Sequence, residues 1–160
     1  MKVKDIKVRD VMTKNPFTID PEARLTTAME YMKMKKVRHL PVVDDDGQLV
    51  GIITDRDLRQ AAFAPALAEW LSLSAQRRLR GIGQALEDLR VKDAMTWVVV
   101  TTHPDATIEH AAVLMFERRL GSLPVIDQGK LVGILTERDL LKALMRKHPA
   151  TRFDPESFLW

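Results

Sequence analysis

Two short stretches of the chain place a threonine, an arginine and an aspartate at the same spacing. The first runs Thr-Asp-Arg-Asp from Thr54 to Asp57, and the second runs Thr-Glu-Arg-Asp from Thr136 to Asp139. A threonine hydroxyl can hydrogen-bond a phosphate, an arginine adds a guanidinium, and an aspartate offers two acceptor oxygens to a sugar diol. Phosphate and ribose together indicate a nucleotide. The candidate binding residues in these stretches are Thr54, Arg56, Asp57, Thr136, Arg138 and Asp139.

Each stretch is predicted to lie where a strand turns into a helix. An apolar, β-branched run opens on Gly51 or Gly133, reaches the threonine and gives way to a charged Arg-Asp-Leu run. The first N–H groups of a helix lack partners within the helix and carry partial positive charge, so such a junction can bind an anion. Thr-x-x-Asp is also a capping box, which is the commoner use of an isolated copy. Two copies in equivalent places favour a ligand.

The chain contains an internal repeat. Pro41 corresponds to Pro124 at an offset of 83 residues, and Gly51 corresponds to Gly133 at 82, because one residue is lost in the intervening turn. A repeat with one deletion placed in a turn indicates two copies of one supersecondary unit. We predict that each copy is a β-α-β-β-α unit.

The first copy shows the pattern of these elements. A helix is predicted with Leu25, Ala28, Met29 and Met32 on its buried face. Two strands, 40–43 and 49–53, are predicted to flank a hairpin turn over 44–47. Units this small cannot close their own core, so we expect an α/β (α+β) fold in which two copies pack with pseudo-twofold symmetry. That packing would bring the two junctions into a shared cleft.

The repeat divides the chain into four segments. We predict a first repeat over 1–63, a helical linker over 64–90, a second repeat over 91–145 and a C-terminal tail over 146–160. The linker clusters Arg77, Arg78 and Arg80, so it either packs on the module or its twin subunit, or docks an acidic partner. Phe158 and Trp160 of the tail are expected to pack back on the chain or against a partner subunit.

Composition narrows the classes of function. The 160 residues include no cysteine, which excludes disulfides, thiolate metal sites and a cysteine nucleophile. The N-terminus has no apolar signal region, and no stretch approaches the roughly 18 apolar residues of a membrane span. We therefore expect a cytoplasmic protein with no membrane partner. The net charge of +3 suits small anionic ligands and nucleic acid equally.

Motif content disfavours catalysis, metal binding and nucleic-acid binding. The chain has no Gly-x-Ser-x-Gly, no Walker loop and no acid/base pair beside a nucleophile, so we predict that it is not an enzyme. Its four histidines are too scattered for a metal site. Its basic residues are dispersed and its aromatics are few, which disfavours a nucleic-acid partner.

The combined motifs resemble a known domain. The order Asp-x-Met-Thr, then Leu-Pro-Val-Val/Ile-Asp, then Gly-Ile-Ile/Leu-Thr-x-Arg-Asp-Leu resembles the CBS domain, named after cystathionine β-synthase. The resemblance covers residues 8–63 and 91–145 and implies a tandem CBS pair, with a linker similar to that of acetoin-utilisation-type proteins. It implies a regulatory homodimer with no required cofactor that binds AMP, ADP, ATP or S-adenosylmethionine and acts on an unknown effector protein.

The resemblance also implies roles for residues by position. Thr54 and Asp57 would contact phosphate and ribose in the first site, and Thr136 and Asp139 would do so in the second. The backbone of two short segments would line the adenine, and two threonines would lie where the first strand faces the ligand. These further residues are Val37, Arg38, His39, Leu40, Leu120, Gly121, Ser122, Leu123, Thr18 and Thr101.

The two implied sites differ in charge. Arg38 and His39 offer positive charge for a polyphosphate in the first site, whereas Gly121 and Ser122 leave more room and less charge in the second. One alternative stays open at this point. The junctions could be capping boxes only, in a ligand-independent dimerisation and docking module that works through the arginine cluster at 77–80.

Overall fold

The two halves of the chain form series of elements that share the order helix, strand, strand, helix, and in the part of the chain that the structure describes only the first half has a strand before its first long helix. The computed structural model describes residues 6–61 and 89–147. The first series is a single 3₁₀ turn (Val8–Asp10), β1 (Thr13–Lys14), α1 (Leu25–Lys35), β2 (His39–Val43), β3 (Leu49–Thr54) and α2, which begins at residue 55 and is described to residue 61. The second series is α3 (Val91–Ala94), α4 (Ile108–Arg118), β4 (Ser122–Asp127), β5 (Lys130–Thr136) and α5 (Glu137–Lys147).

The predicted fold class is confirmed, because each half contains a helix, two strands and a second helix in the predicted order. The sheets are β1-β5-β4 and β2-β3, and all their strand pairs are antiparallel. In the described parts of the chain, no helix has the length and apolar character needed to cross a membrane. Most of the predicted linker and tail, with Arg77, Arg78, Arg80, Phe158 and Trp160, lies outside the described residues.

Helix α1 packs on the core through a narrower stripe than its sequence suggested. Leu25, Ala28 and Met32 are buried as predicted, but Met29 is 43% exposed and its assignment to the buried face was wrong. At about 100° per residue Leu25, Met32 and Ala28 lie within about 60° of one another, and Met29 lies about 40° beyond Leu25 on the side away from them.

Helices α1 and α4 end in the same unusual way. Lys36 and its repeat equivalent Arg119 both have a φ of 55°, in the left-handed region. The backbone N–H of Lys36 donates to the carbonyls of Met32 and Lys33, as in a left-handed helix cap. These caps turn the chain sharply and direct residues 37–39 and 120–122 toward the strand-to-helix junctions.

The two hairpins are closed by short polar turns. In the first, Oδ1 of Asp44 accepts hydrogen bonds from the N–H groups of Asp46 (3.1 Å) and Gln48 (2.8 Å), and Gly47 has a φ of 75°. This confirms the predicted hairpin turn at 44–47. The second strand of each hairpin, β3 or β5, ends at the junction threonine, Thr54 or Thr136.

Each half begins with a lead-in segment, residues 8–17 in the first half and 91–100 in the second, and the two segments are exchanged, so that each packs on the opposite half. β1 of the first half pairs with β5 of the second, through Thr13 opposite Ile134, and Thr96 forms a bridge with Ile52 of β3. The core follows the same exchange, because Val8 packs in the second half's core while Val91 and Met95 pack in the first half's. Neither core is complete without the other half. The boundaries of the two repeats, 1–63 and 91–145, stay a prediction.

Two glycines make this exchange possible. A Cβ on Gly51 would lie 2.5 Å from Sδ of Met95 and 3.1 Å from the carbonyl oxygen of Thr96. A Cβ on Gly133 would lie 2.5 Å from Sδ of Met12 and 3.1 Å from a backbone carbonyl oxygen of the crossing segment. The glycines let each crossing segment lie directly on the strand that leads to a junction.

Candidate functional site

Each strand-to-helix junction is closed by a complete capping box. At the first junction, the N–H and Oγ1 of Thr54 donate to Oδ2 of Asp57 at 2.8 and 2.7 Å, and the Asp57 N–H donates back to Oγ1 at 3.3 Å. At the second, Thr136 and Asp139 make the same three bonds at 3.0, 2.6 and 3.3 Å. The capping interpretation is therefore correct in the structure. None of these bonds uses Oδ1 of either aspartate.

The first junction opens on a cavity of about 570 Å³, which we call cavity 1. Three segments surround it: the junction itself, the lead-in segment of the second half, and the segment after α4. Its lining residues from these segments include Thr54, Asp55, Arg56, Asp57 and Arg59, then Thr96 and Val98 to Val100, then Arg119, Leu120, Gly121 and Ser122.

The second junction opens on a cavity of about 260 Å³, which we call cavity 2. Three segments surround it: the second junction, the lead-in segment of the first half, and the segment after α1. Its lining residues include Thr136, Glu137, Arg138, Asp139 and Lys142, then Thr13, Pro16 and Phe17, then Lys36, Val37, Arg38 and His39.

Each junction therefore shares a cavity with the lead-in segment of the other half. The sequence placed Arg38 and His39 with Thr54, and they do line cavity 1, but they line cavity 2 as well. Ser122, which the sequence placed with Thr136, lines cavity 1 instead. Gly121 also lines both cavities, so the two cavities adjoin between the junctions.

Four other candidate residues lie apart from the two cavities. Leu40 and Leu123 are fully buried core residues and are absent from both linings. Thr18 is half-buried and also absent from both linings. Thr101 is exposed and lines a separate cavity of about 320 Å³.

Sequence reasoning missed several lining residues that the structure brings in. Lys36 and Arg119 enter through the left-handed helix caps, and Thr13 and Thr96 enter through the exchanged segments. Their repeat equivalence, at an offset of 83 residues, is a signal that could have pointed to them.

Positive charge exceeds negative charge in both cavities, and cavity 2 is the smaller, so the expectation of more room and less charge at the second site was wrong. Cavity 1 contains Arg38, Arg56, Arg59 and Arg119 against Asp55, Asp57 and Glu137. Cavity 2 contains Lys36, Arg38, Arg138 and Lys142 against Glu137 and Asp139. Together with the N–H groups at the start of α2 and α5, these cations make both cavities suited to an anion.

His39 lies where the two cavities adjoin. A Cβ on Gly121 would lie only 3.1 Å from Nε2 of His39, so the imidazole packs closely on the Gly121 backbone. Burial lowers the pKa of His39, and the neighbouring Arg38 lowers it further, while Asp55, Glu137 and Asp57 act in the opposite direction. The imidazole therefore favours its neutral form in the folded protein.

A metal centre finds no support in the described part of the chain. Residues 6–61 and 89–147 contain no group of three histidine, aspartate or glutamate side chains placed to hold a metal ion. The cavities are equipped instead with hydrogen-bonding groups, cations and apolar surface.

Comparison with known proteins places this architecture in a family. The family model described as "CBS domain" matches residues 8–64 and 91–146. Among solved structures, an acetoin utilization protein (AcuB) from Vibrio cholerae is 29% identical, with a TM-score of 0.71 over 90% of this chain and 93% of that one. The predicted likeness to acetoin-utilisation-type proteins is thereby confirmed.

Two further solved structures contain ligands. CBSX2, a CBS-pair protein from Arabidopsis thaliana, was solved in complex with AMP; it is 31% identical, with a TM-score of 0.71 over 89% of this chain and 98% of that one. The CBS domain pair of protein MJ0100 was solved with 5′-methylthioadenosine and S-adenosyl-L-methionine; it is 29% identical, with a TM-score of 0.69 over 88% and 97% of the two chains. With both repeats matched by the family model, this chain belongs to the CBS domain family as a tandem CBS pair.

Proposed function

We propose that this protein is a regulatory module that binds an adenosine-containing ligand, AMP, ADP, ATP or S-adenosylmethionine, in the cavities at its two junctions. The observation that carries the proposal is the junction itself. There a helix N-terminus, a threonine, an arginine and an aspartate whose Oδ1 takes no part in the capping box line one cavity. The AMP and S-adenosylmethionine complexes of two similar CBS pairs support the ligand class.

The proposed binding mode assigns each group one part of a nucleotide. The first N–H groups of α2 and α5, with Arg56 and Arg138, hold phosphate. Oδ1 of Asp57 or Asp139 accepts from the ribose hydroxyls, because Oδ2 is already used by the capping box. The apolar lead-in residues, Val98 to Val100 in cavity 1 and Pro16 with Phe17 in cavity 2, pack against the base.

The ligand acts on an effector protein by shifting the module between two states. Such a shift is limited to the difference in ligand affinity between those states. The lining residues bind and orient the ligand, and the proposal gives none of them a catalytic role.

Thermal unfolding with each of the four ligands tests the proposal. A ligand at about a hundred times its Kd should stabilise the protein by roughly 2.7 kcal/mol, which is readily measured. The variants Asp57→Ala and Asp139→Ala should each lose part of that shift. Equal shifts in wild type and both variants would show that ligand binds elsewhere, and no shift with any ligand would oppose the proposed function.

Exposed apolar side chains support a second proposal, that the module forms homodimers. Phe116 on α4 is 86% exposed, and Leu141 and Met145 on α5 are also exposed. Helix α4 packs against α5, and a contiguous exposed apolar patch commonly marks a protein interface. Sedimentation of wild type and Phe116→Ser tests this: a dimer that Phe116→Ser weakens is expected, and a monomeric wild type would oppose it.

A further inference from the structure

The two cavities meet at a place where the repeat is asymmetric. The repeat pairs Arg38 with Gly121, so one side of the pseudo-twofold axis carries a guanidinium and the other has no side chain. Arg38 nevertheless lines both cavities, as does Glu137 from the start of α5. Asp55, the repeat equivalent of Glu137, lines cavity 1 and is absent from the lining of cavity 2. One arginine and one glutamate are thus common to two sites.

The charge of the combined site is limited. Counting Arg38 and Glu137 once, the two linings contain seven lysine and arginine side chains and four carboxylates, an excess of three positive charges. A phosphate monoester such as AMP carries about two negative charges near neutral pH. One AMP can therefore be balanced by the lining residues, whereas two cannot. His39 adds no charge while it is neutral.

We propose that the two cavities compete for Arg38, so that an anionic nucleotide in one cavity weakens binding in the other. This rests on the proposed function, because it concerns the same two cavities and the same ligand class. The first phosphate to bind engages the shared guanidinium, and the second ligand then meets the Glu137 carboxylate without that compensation. The coupling should grow with ligand charge, from adenosine through AMP to ATP, and should diminish as salt screens the charges.

Calorimetric titration of AMP into three proteins measures the coupling directly. Asp139→Ala isolates cavity 1, and Asp57→Ala isolates cavity 2. In wild type, the second binding step should have a Kd roughly tenfold or more above that of the weaker single-cavity variant, the size expected for unit charges interacting across a partly solvated site. A wild-type isotherm equal to the sum of the two single-cavity isotherms would overturn the proposal.

Arg38→Gln tests the residue held responsible. Loss of the Arg38 guanidinium should weaken AMP binding in both cavities. In Arg38→Gln the Kd of the second binding step should lie within about twofold of the Kd measured when Asp57→Ala or Asp139→Ala is added to Arg38→Gln. Adenosine, which has no phosphate, should show no coupling in either protein. Coupling that is equal for adenosine and AMP would contradict competition for a charged group.

Glu137→Gln and Asp55→Asn form a matched pair. Both remove one carboxylate at equivalent repeat positions, but only Glu137 is shared by the cavities. Glu137→Gln should tighten AMP binding in both cavities and reduce the coupling, whereas Asp55→Asn should tighten binding in cavity 1 alone. Equal effects of the two substitutions on both cavities would contradict the assigned sharing.

The outcomes separate this inference from the proposed function. Failure of wild type and every variant to bind nucleotide would overturn both. Binding by the single-cavity variants with a wild-type isotherm equal to their sum would overturn the competition and leave the function standing. If either aspartate variant fails to fold, Arg56→Ala and Arg138→Ala replace them, since these exposed arginines each line one of the two cavities.

Discussion

At the scale of single residues, the aspartates of the two junctions close the capping boxes, and the proposed function gives them a ligand to bind as well. Oδ2 of Asp57 and Asp139 closes the capping box on the preceding threonine, while Oδ1 is not used by it. Capping and ligand binding are thus compatible uses of one side chain. The capping boxes therefore do not count against the proposed ligand role, which stays a prediction.

Asp139 variants separate the two uses. Asp139→Ala should cost about 0.5–2 kcal/mol of unfolding free energy through the lost cap. It should also weaken nucleotide binding by about 1–3 kcal/mol through the lost bond to the ribose. Asp139→Asn keeps an acceptor for the Thr136 N–H and should retain more of the stability. Urea unfolding and nucleotide titration of both variants test this, and wild-type affinity in Asp139→Ala would contradict the assigned ribose contact.

His39 should make stability depend on pH. Because its pKa is lowered in the folded state, mainly by burial and then by Arg38, the unfolded chain takes up its proton first as the pH falls. The contribution of His39 to the free energy of unfolding is therefore complete above the pKa of the unfolded state, and it is lost as the pH falls below that pKa. Between about pH 8 and pH 5, His39→Gln should show a smaller fall in unfolding free energy than wild type. An unchanged pH profile would contradict this.

The residues that sequence predicted at the site are those whose type and spacing carry the signal. Thr54, Asp57 and their equivalents could be found because Thr-x-x-Asp before an apolar helix face is a local pattern. No local pattern points to Lys36 and Arg119, because lysine and arginine rarely adopt a left-handed φ, and only their equivalence in the repeat relates them. The roles proposed for the lining residues stay predictions.

At the scale of elements, local patterns predicted the helices and hairpins but not the exchange of lead-in segments. Helix α1 and the hairpin at 44–47 follow from apolar periodicity and turn residues. β1 has two residues, too few for a periodic signal, and its partner β5 lies over a hundred residues away in sequence. That pairing depends on the packed halves, so no local pattern could reveal it.

Gly133→Ala should disturb this pairing. The added Cβ would approach Sδ of Met12 and the carbonyl oxygen of Thr13, and the backbone of β1 would have to move. We expect a loss of about 1–3 kcal/mol in unfolding free energy and weaker ligand binding in cavity 2, which Thr13 lines.

Gly129→Ala is the matched control for that change. Its Cβ would meet no atom within 4 Å, so only the strain of a φ of 78° applies, about 1–2 kcal/mol. Nucleotide affinity should be unchanged in Gly129→Ala. If Gly133→Ala also bound nucleotide as wild type does, the crossing segment would not position cavity 2.

At the scale of the whole molecule, each repeat completes the core of the other. Val8 of the first half is fully buried in the second half's core, and Val91 of the second half is fully buried in the first half's. Each half therefore loses part of its core if the other unfolds. The same exchange places each junction against a segment from the opposite half, so the cavities and the cores depend on one arrangement.

Val8→Ala and Val91→Ala should therefore lower one shared unfolding transition. Each change removes buried methyl groups and leaves a cavity, a loss on the order of 1–3 kcal/mol. Val113→Ala, at a half-exposed position on α4, is the control and should change stability by less than about 0.5 kcal/mol. Two separate transitions, with each substitution affecting only one, would show that the halves unfold independently.

The most direct test of nucleotide binding at the junctions is an NMR titration of the ¹⁵N-labelled protein with AMP. The largest amide shifts should come from the first residues of α2 and α5, at 55–57 and 137–139, where N–H groups face the proposed phosphate. The same titration of the Asp57→Ala/Asp139→Ala double variant should lose those shifts at equal AMP concentration. Saturable amide shifts in other parts of the protein, with the signals of residues 55–57 and 137–139 unchanged, would contradict the account.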